Sequence, residues 1–275
     1  MLLLAASSLS FDGFENNNFQ YAFNDARRLG YERIEFNCWY AESLTPGRIR
    51  EMRRRCEGTG LQPVALHVSA FGGSTSEQLS WNTAHKLRAI EAAVELGCRR
   101  VVASGMHIED RDGERTGTNA LLDDLLRELY NLAPYAEEAD VLLCLENHCS
   151  NVLAGQQAYH YLFDRIDSAH VGICLDGGHL EAAGESIGEF IEAFAPRINH
   201  LHLKENGQFG RKSFCRFGCS GTDNDAMIRE MIRRGYSGYM SVELSPEIGE
   251  NGDFIPFTDE DRRKPHIMFS RYESI

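Results

Sequence analysis

Eight short runs rich in Val, Ile and Leu recur along the 275-residue chain, near 2–6, 33–36, 62–68, 100–104, 140–145, 171–175, 199–203 and 238–242. Between them lie segments whose apolar residues repeat with helical spacing. In TPGRIREMRRRCEGTG, Thr45 can cap, Pro46 suits a first helical turn, and Gly58 or Gly60 can end the helix. NTAHKLRAIEAAVELG and NALLDDLLRELYNLAPYAEEA predict two longer helices, and GEFIEAFAP a short one stopped by Pro196. Strands alternating with helices make βαβ units and a parallel sheet. Eight units in a chain of this length match a closed (β/α)₈ TIM barrel better than an open sheet. No linker or shift in composition divides the chain, so residues 1–275 are expected to form one barrel domain.

Charge narrows the ligand. The 41 acidic against 28 basic residues leave a formal net charge of −13, which argues against binding a phosphate backbone, so small molecules are expected rather than nucleic acid. The opening MLLLAASSLS lacks a basic stretch before its apolar residues and reads as a first strand rather than a signal peptide. No apolar run approaches the roughly 18 residues that span a bilayer, so no membrane partner is expected. Eight cysteines without a secretory signal favour reduced thiols in a cytoplasmic protein. Cys215 and Cys219 are the only pair in one loop, with no further ligands at finger spacing, so a structural zinc site is not expected there.

The apolar runs end in polar residues: IEFN (Glu35, Asn37), LHVS (His67), LCLENH (Glu146, Asn147, His148), ICLDGGH (Asp176, His179), HLHLKE and SVELS (Glu243). In such a barrel the chemistry sits at the C-terminal ends of the strands. Counting back by two reaches Cys144 and Leu142 from Glu146, Cys174 and Gly172 from Asp176, and Ser241 from Glu243. These are mostly small residues, as a tapering interior requires, so the three carboxylates face one centre. Buried together they repel one another unless a cation neutralises them. With one imidazole from the seventh strand they form an oxygen and nitrogen set that suits manganese, magnesium or cobalt better than a thiolate-type zinc site. A single acidic residue at a strand end is more often a helix cap. Ligand-type groups closing strands five to eight at the same end are hard to obtain from capping alone.

Other polar residues divide between two readings. For Glu35 and His67, a satisfied buried group and a substrate contact stand level. In NHLHLKEN, His200, His202 and Lys204 share one face of the strand, and Lys204 suits equally a substrate oxygen and a salt bridge to a pocket carboxylate. The loop from Glu205 to Thr222 mixes Phe209, Phe214 and Phe217 with Arg211, Lys212 and Arg216. It reads as a lid over a carbohydrate or as a contact between copies of the chain, which leaves a homo-oligomer open.

These motifs resemble the sugar phosphate isomerase/epimerase family with its xylose isomerase-like TIM barrel. Its members include ketose 3-epimerases, inosose-processing enzymes, hydroxypyruvate isomerases and, more distantly, endonuclease IV. The resemblance runs from GYERIEF through LCLENH, LDGGH and HLHLKE to GYSGYMSVELS. It implies one divalent metal, manganese first with magnesium, cobalt or zinc as alternatives, bound by Glu146, Asp176, His202 and Glu243. It also implies substrate contacts from His179, at the end of D-G-G-H, and from Arg216, just ahead of the small-residue stretch Gly218 to Thr222. His200, one layer deeper, is expected to be a hydrogen-bonded histidine behind the ligands. The family's H-x-K-D reads H-L-K-E here, which keeps the ligand. Val152 stands where ketose 3-epimerases carry a further substrate Glu, which counts against a free ketose. Endonuclease IV uses three zinc ions and more histidines than this acidic chain offers.

The expected function is therefore a metal-dependent isomerase or epimerase on a sugar, keto-sugar or cyclitol. It would work through a metal-stabilised enediolate, with Glu146 and Glu243 as the acid/base pair. The alternative is a lyase on the same scaffold, an inosose-type dehydratase or a 3-oxo-glycoside cleaving enzyme. An endonuclease IV-like hydrolase and a non-catalytic carbohydrate-binding barrel follow behind.

Overall fold

In the computed structural model each of the eight apolar runs is a strand: β1 (Leu2–Ser7), β2 (Arg33–Asn37), β3 (Gln62–His67), β4 (Arg100–Ser104), β5 (Leu142–Glu146), β6 (Val171–Asp176), β7 (Ile198–Leu203) and β8 (Gly238–Val242). Neighbours pair in parallel, and β1 closes on β8 with Ala5 opposite Ser241 to give a closed eight-stranded barrel. The structure describes residues 1–14, 18–73, 75–108, 110–111, 114–115, 118–218, 221–245, 247–248 and 254–274. Among these, no helix is long and apolar enough to cross a membrane. The seven described cysteines are free, and Cys219 lies outside the described residues.

The helices follow from local sequence. Pro46–Thr59 opens on its proline and ends at Gly60, whose φ of 72° is a left-handed conformation that glycine adopts without strain. Thr45 does not cap it, because its hydroxyl donates to the Glu42 carbonyl at 3.1 Å. The helix Ser76–Leu96 starts six residues before Asn82, because the Thr75 hydroxyl accepts the Gln78 N–H. Thr118–Glu138 carries Pro134 inside it, and Ile187–Phe194 runs into a 3₁₀ turn over Ala195–Arg197.

Two buried layers result. One lies between the barrel and its helices, while Ala5, Val64, Ala65, Val102, Cys144 and Cys174 fill the barrel itself. Small residues dominate the inner layer, as a narrow interior demands. At Gly172 a Cβ would meet Asn199 Nδ2 at 2.1 Å and the Arg197 carbonyl at 2.7 Å, so only glycine lets β7 lie this close. That packing brings β6 and β7 into the register that sets Asp176 opposite His202.

Candidate metal and substrate site

Glu146, Asp176, His202 and Glu243 meet at the C-terminal mouth of the barrel, all nearly or fully buried. His202 is at the centre, paired in register with Asp176 on one side and Ser241 on the other. Its Nδ1 lies 2.6 Å from Glu146 Oε1 and 3.5 Å from Glu243 Oε2, while its Nε2 lies 3.0 Å from Glu35 Oε1. Donor atoms of Glu146, Asp176 and His202 fall within 4.8 Å of one another, as do those of Glu35, His67, His202 and Glu243.

Asp176 combines the two roles weighed for it. Its Oδ1 accepts the His179 N–H at 2.8 Å and caps the turn that follows, while Oδ2 accepts no hydrogen bond. Asn147 locks it in place: Nδ2 donates to the Asp176 carbonyl and Oδ1 accepts the Asp176 N–H, both at 2.8 Å. Gly178 lets the chain pass over Lys204, since a Cβ there would sit 3.0 Å from that residue's Cγ and carbonyl oxygen. Lys204 Nζ donates to Glu243 Oε1 at 2.5 Å and lies 3.4 Å from Asp176 Oδ2.

Among the described residues the permanent charges of the cluster do not balance. Four buried carboxylates, from Glu35, Glu146, Asp176 and Glu243, face a single permanent cation, Lys204. Burial pushes the Asp176 carboxyl up to about 6 against the pull of Lys204. Burial also works against Glu146, yet His67 and His202 hold its carboxyl well below the ordinary range. Burial opposes the His202 imidazolium too, but Cys174, Glu35 and Glu146 raise its pKa well above that of a free imidazole. Asp176 Oδ2 and Glu243 Oε2 are buried oxygens with no hydrogen bond. Oxygens of this kind beside an imidazole are the donor set of a divalent ion. Glu35 at Nε2 fits the same purpose, because with an ion bound a carboxylate there would hold the one remaining ring proton and leave the Nδ1 lone pair to the metal. The residues present therefore fit a divalent metal.

Above this cluster opens a cavity of about 610 Å³, with Glu146, Glu243, His67, His179 and Lys204 on its wall. His179 is oriented by the Cys149 N–H, which reaches its Nδ1 at 3.4 Å; a backbone N–H only donates, so Nε2 carries the ring hydrogen. Phe214 closes one side, with Lys204 Nζ 5.0 Å from its ring and the His179 ring edge-on at 4.6 Å. Phe214 belongs to a short hairpin in which 205–206 pair with 214–215, so this part of the 205–222 loop covers the cavity. Phe209 is exposed and Phe217 packs away against Phe269.

Two expectations are corrected. Glu35 is not on the cavity wall: it is fully buried beneath His202, with His200 Nε2 at 2.8 Å and the Ser241 hydroxyl at 2.9 Å on the same oxygen. Its place on β2, opposite Ser7, sets it one layer below the mouth, where His202 covers it. Arg216 is not on the wall either, because its guanidinium turns to Asp261, 3.3 Å away. His200 lies one layer deeper, with its Nε2 against Glu35 Oε2 and the Ser241 hydroxyl.

Sequence reasoning missed the aromatic side of the cavity. Phe14 and Trp39 stack with ring centres 5.5 Å apart, and Trp39 meets His67 edge-on at 5.7 Å. The available signal was CWY directly after IEFN, since the first residues beyond a strand must sit on the same rim.

The xylose isomerase-like TIM barrel model matches residues 23–258. Fructoselysine 3-epimerase of Shigella flexneri is 23% identical over 248 residues, covering 84% of this chain and 87% of that protein. The 3-oxo-isoapionate decarboxylase of Pectobacterium atrosepticum is 30% identical over 190 residues, covering 67% of this chain and 60% of that protein. Among solved structures, the IolI protein with a bound zinc atom superposes with a TM-score of 0.78 at 18% identity, covering 98% of this chain and 96% of that one.

Proposed function

The chain is an enzyme of the xylose isomerase-like TIM barrel family, and from that premise we propose a divalent-metal-dependent isomerase or epimerase acting on a sugar, keto-sugar or cyclitol. One observation carries the reading: Asp176 Oδ2 and Glu243 Oε2 are buried without a hydrogen bond in the cluster around His202, beneath a cavity that reaches Glu146. Glu146, Asp176, His202 and Glu243 are the residues we assign to hold the ion, manganese first, with magnesium, cobalt or zinc as alternatives. When bound, it supplies Lewis-acid polarisation of a substrate carbonyl and the hydroxyl beside it.

The side chains divide the remaining work. Glu146, kept ionised by His67 and His202, removes the proton from the carbon next to the carbonyl. Glu243, held by Lys204, returns one. Return to the same carbon from the opposite face inverts it, and return to the neighbouring carbon moves the carbonyl. His179 presents its Nε2–H to a substrate oxygen, and Phe14, Trp39 and Phe214 enclose the carbohydrate. His67, whose Nε2 is 3.3 Å from Glu146 Oε2, orients the base.

Solvent deuterium uptake at the carbon beside a keto group tests this reading. Uptake by the wild type, lost in Glu146→Gln and in Glu243→Gln, is expected; equal exchange by both variants overturns the assignment. The similarity to a decarboxylase favours a second reading, a lyase in which loss of a carboxylate from the carbon next to the carbonyl, rather than loss of a proton, leaves the electron pair in the same enediolate. Release of a fragment without exchange into recovered substrate would select it.

A further inference from the structure

Beside the carboxylate cluster the cavity wall carries a second set of donors that the proposed chemistry does not use as ligands. His148, Cys149 and His179 each bring one ligand-type atom within 4.8 Å of the other two. The Cys149 sulfur lies 3.3 Å from His179 Nδ1, and the rings of His148 and His179 are 3.9 Å apart and tilted by 33°. A thiolate and an imidazole nitrogen bound tetrahedrally to one zinc ion are separated by about 3.5 Å, given the usual bond lengths. The observed spacing between the Cys149 sulfur and His179 Nδ1 needs only a small adjustment.

The surroundings favour a ligand over a packing role. Two imidazoles and a thiol converge without a carboxylate between them, and the nearest other partner of the sulfur is the Ser150 hydroxyl at 3.7 Å. Backbone N–H groups reach the two Nδ1 atoms, from Ser150 at 3.2 Å and from Cys149 at 3.4 Å, and the Cys149 thiol is the other group at His179 Nδ1. Neither ring is committed to a strong acceptor. Exchange of the long contact at His179 Nδ1 for a metal bond leaves Nε2–H facing the cavity.

We propose that His148, Cys149 and His179 form a second, separate site for a thiophilic divalent cation of the zinc class in the wall of the cavity. Binding displaces the Cys149 proton to solvent, so the site gains a thiolate, two neutral imidazoles and a fourth position for water or a substrate heteroatom. Its sulfur and nitrogen donors differ from the oxygen-rich cluster at His202, so the two sites discriminate between hard and soft ions. The proposal does not rest on the function assigned to the first cluster.

Cobalt(II) titrated into the chelator-stripped full chain reads the two sites apart, because only thiolate ligation gives a strong near-ultraviolet sulfur-to-cobalt charge-transfer band. The expected result is two cobalt ions per chain and a band that Cys149→Ser abolishes, with binding reduced to one. Glu243→Gln, which weakens the oxygen-rich cluster, is expected to keep the band. Absence of the band in the wild type at saturation overturns the proposal. So does a band that survives Cys149→Ser, which would place the sulfur ligand at Cys174 beside His202. Alkylation of wild-type Cys149 mapped by mass spectrometry, with and without zinc, needs no variant: protection by zinc is expected, and an unchanged rate refutes the site.

Discussion

Asn37 fixes the tautomer of His67. Its Oδ1 accepts the Leu9 N–H and the hydroxyls of Ser7 and Ser8, each at 2.9 Å, so the amide cannot be turned and Nδ2 must face His67 Nδ1 at 3.3 Å. Nδ1 is thus the acceptor and Nε2–H points at Glu146. Asn37→Asp keeps the shape but sets an acceptor against Nδ1, which draws the proton there and leaves two lone pairs facing each other at Glu146. On the function proposed here, kcat falls about 10- to 100-fold with a smaller change in KM. Nitrogen-15 NMR of His67 reports the swapped tautomer, and an unchanged kcat with the swap observed removes the pair from the mechanism.

Metal removal follows from the same cluster. A chelator is expected to abolish turnover and lower the unfolding midpoint, and readdition restores both. An ion present at about a hundredfold its Kd contributes about 2.7 kcal/mol of stability. Asp176→Asn should lose that increment in calorimetry, because it removes an unpartnered carboxylate oxygen from the cluster. A variant that is stabilised by metal as strongly as the wild type would move the ion elsewhere.

Among the described residues Lys204 is the only permanent cation beside these carboxylates, bonded to Glu243 and close to Asp176. Lys204→Met leaves both buried charges without it, a loss of about 3–5 kcal/mol for a broken buried pair. Urea unfolding of the metal-free variant measures the deficit. Added metal neutralises the same carboxylates and is expected to narrow it. A deficit independent of metal would mean that lysine and ion act on different groups.

The strands and three of the carboxylates were legible because both depend on short-range rules: β-branched runs make strands, and period-two spacing points Glu146, Asp176 and Glu243 inward. Depth in the barrel was not legible. Nothing in IEFN shows how far β2 is offset from β7, and it is His202 of β7 that covers Glu35. Arg216 fails for a related reason, since its partner Asp261 is 45 residues further on. Phe14 and Trp39 belong to loops after different strands, so their stacking is visible only once the barrel has closed.

The loop after β3 rests on a buried ion pair that gives stability a pH signature. Lys86 and Glu128, both fully buried, approach to 3.2 Å, and they hold Ala70 and Gly72 through the Lys86 ammonium (2.7 Å to the Ala70 carbonyl) and the Glu128 carboxylate (2.5 Å from the Gly72 N–H). Ala70 lines the cavity, so the pair shapes the substrate wall from behind. Burial lowers the Lys86 pKa to about 8 even with Glu128 opposing it. An unfolded lysine titrates near 10.4, so between about pH 8 and 10 the unfolded chain binds more protons at this residue, and its contribution to stability rises with pH. Replacing both partners in Lys86→Met with Glu128→Leu removes this contribution without leaving a lone charge. Relative to that double variant, the wild type should gain stability from pH 7.5 to 10, toward a ceiling of about 3 kcal/mol for a shift of this size. Parallel urea curves for the two proteins would show it as a widening gap in their midpoints. A gap that stays constant with pH would mean that Lys86 keeps its proton throughout.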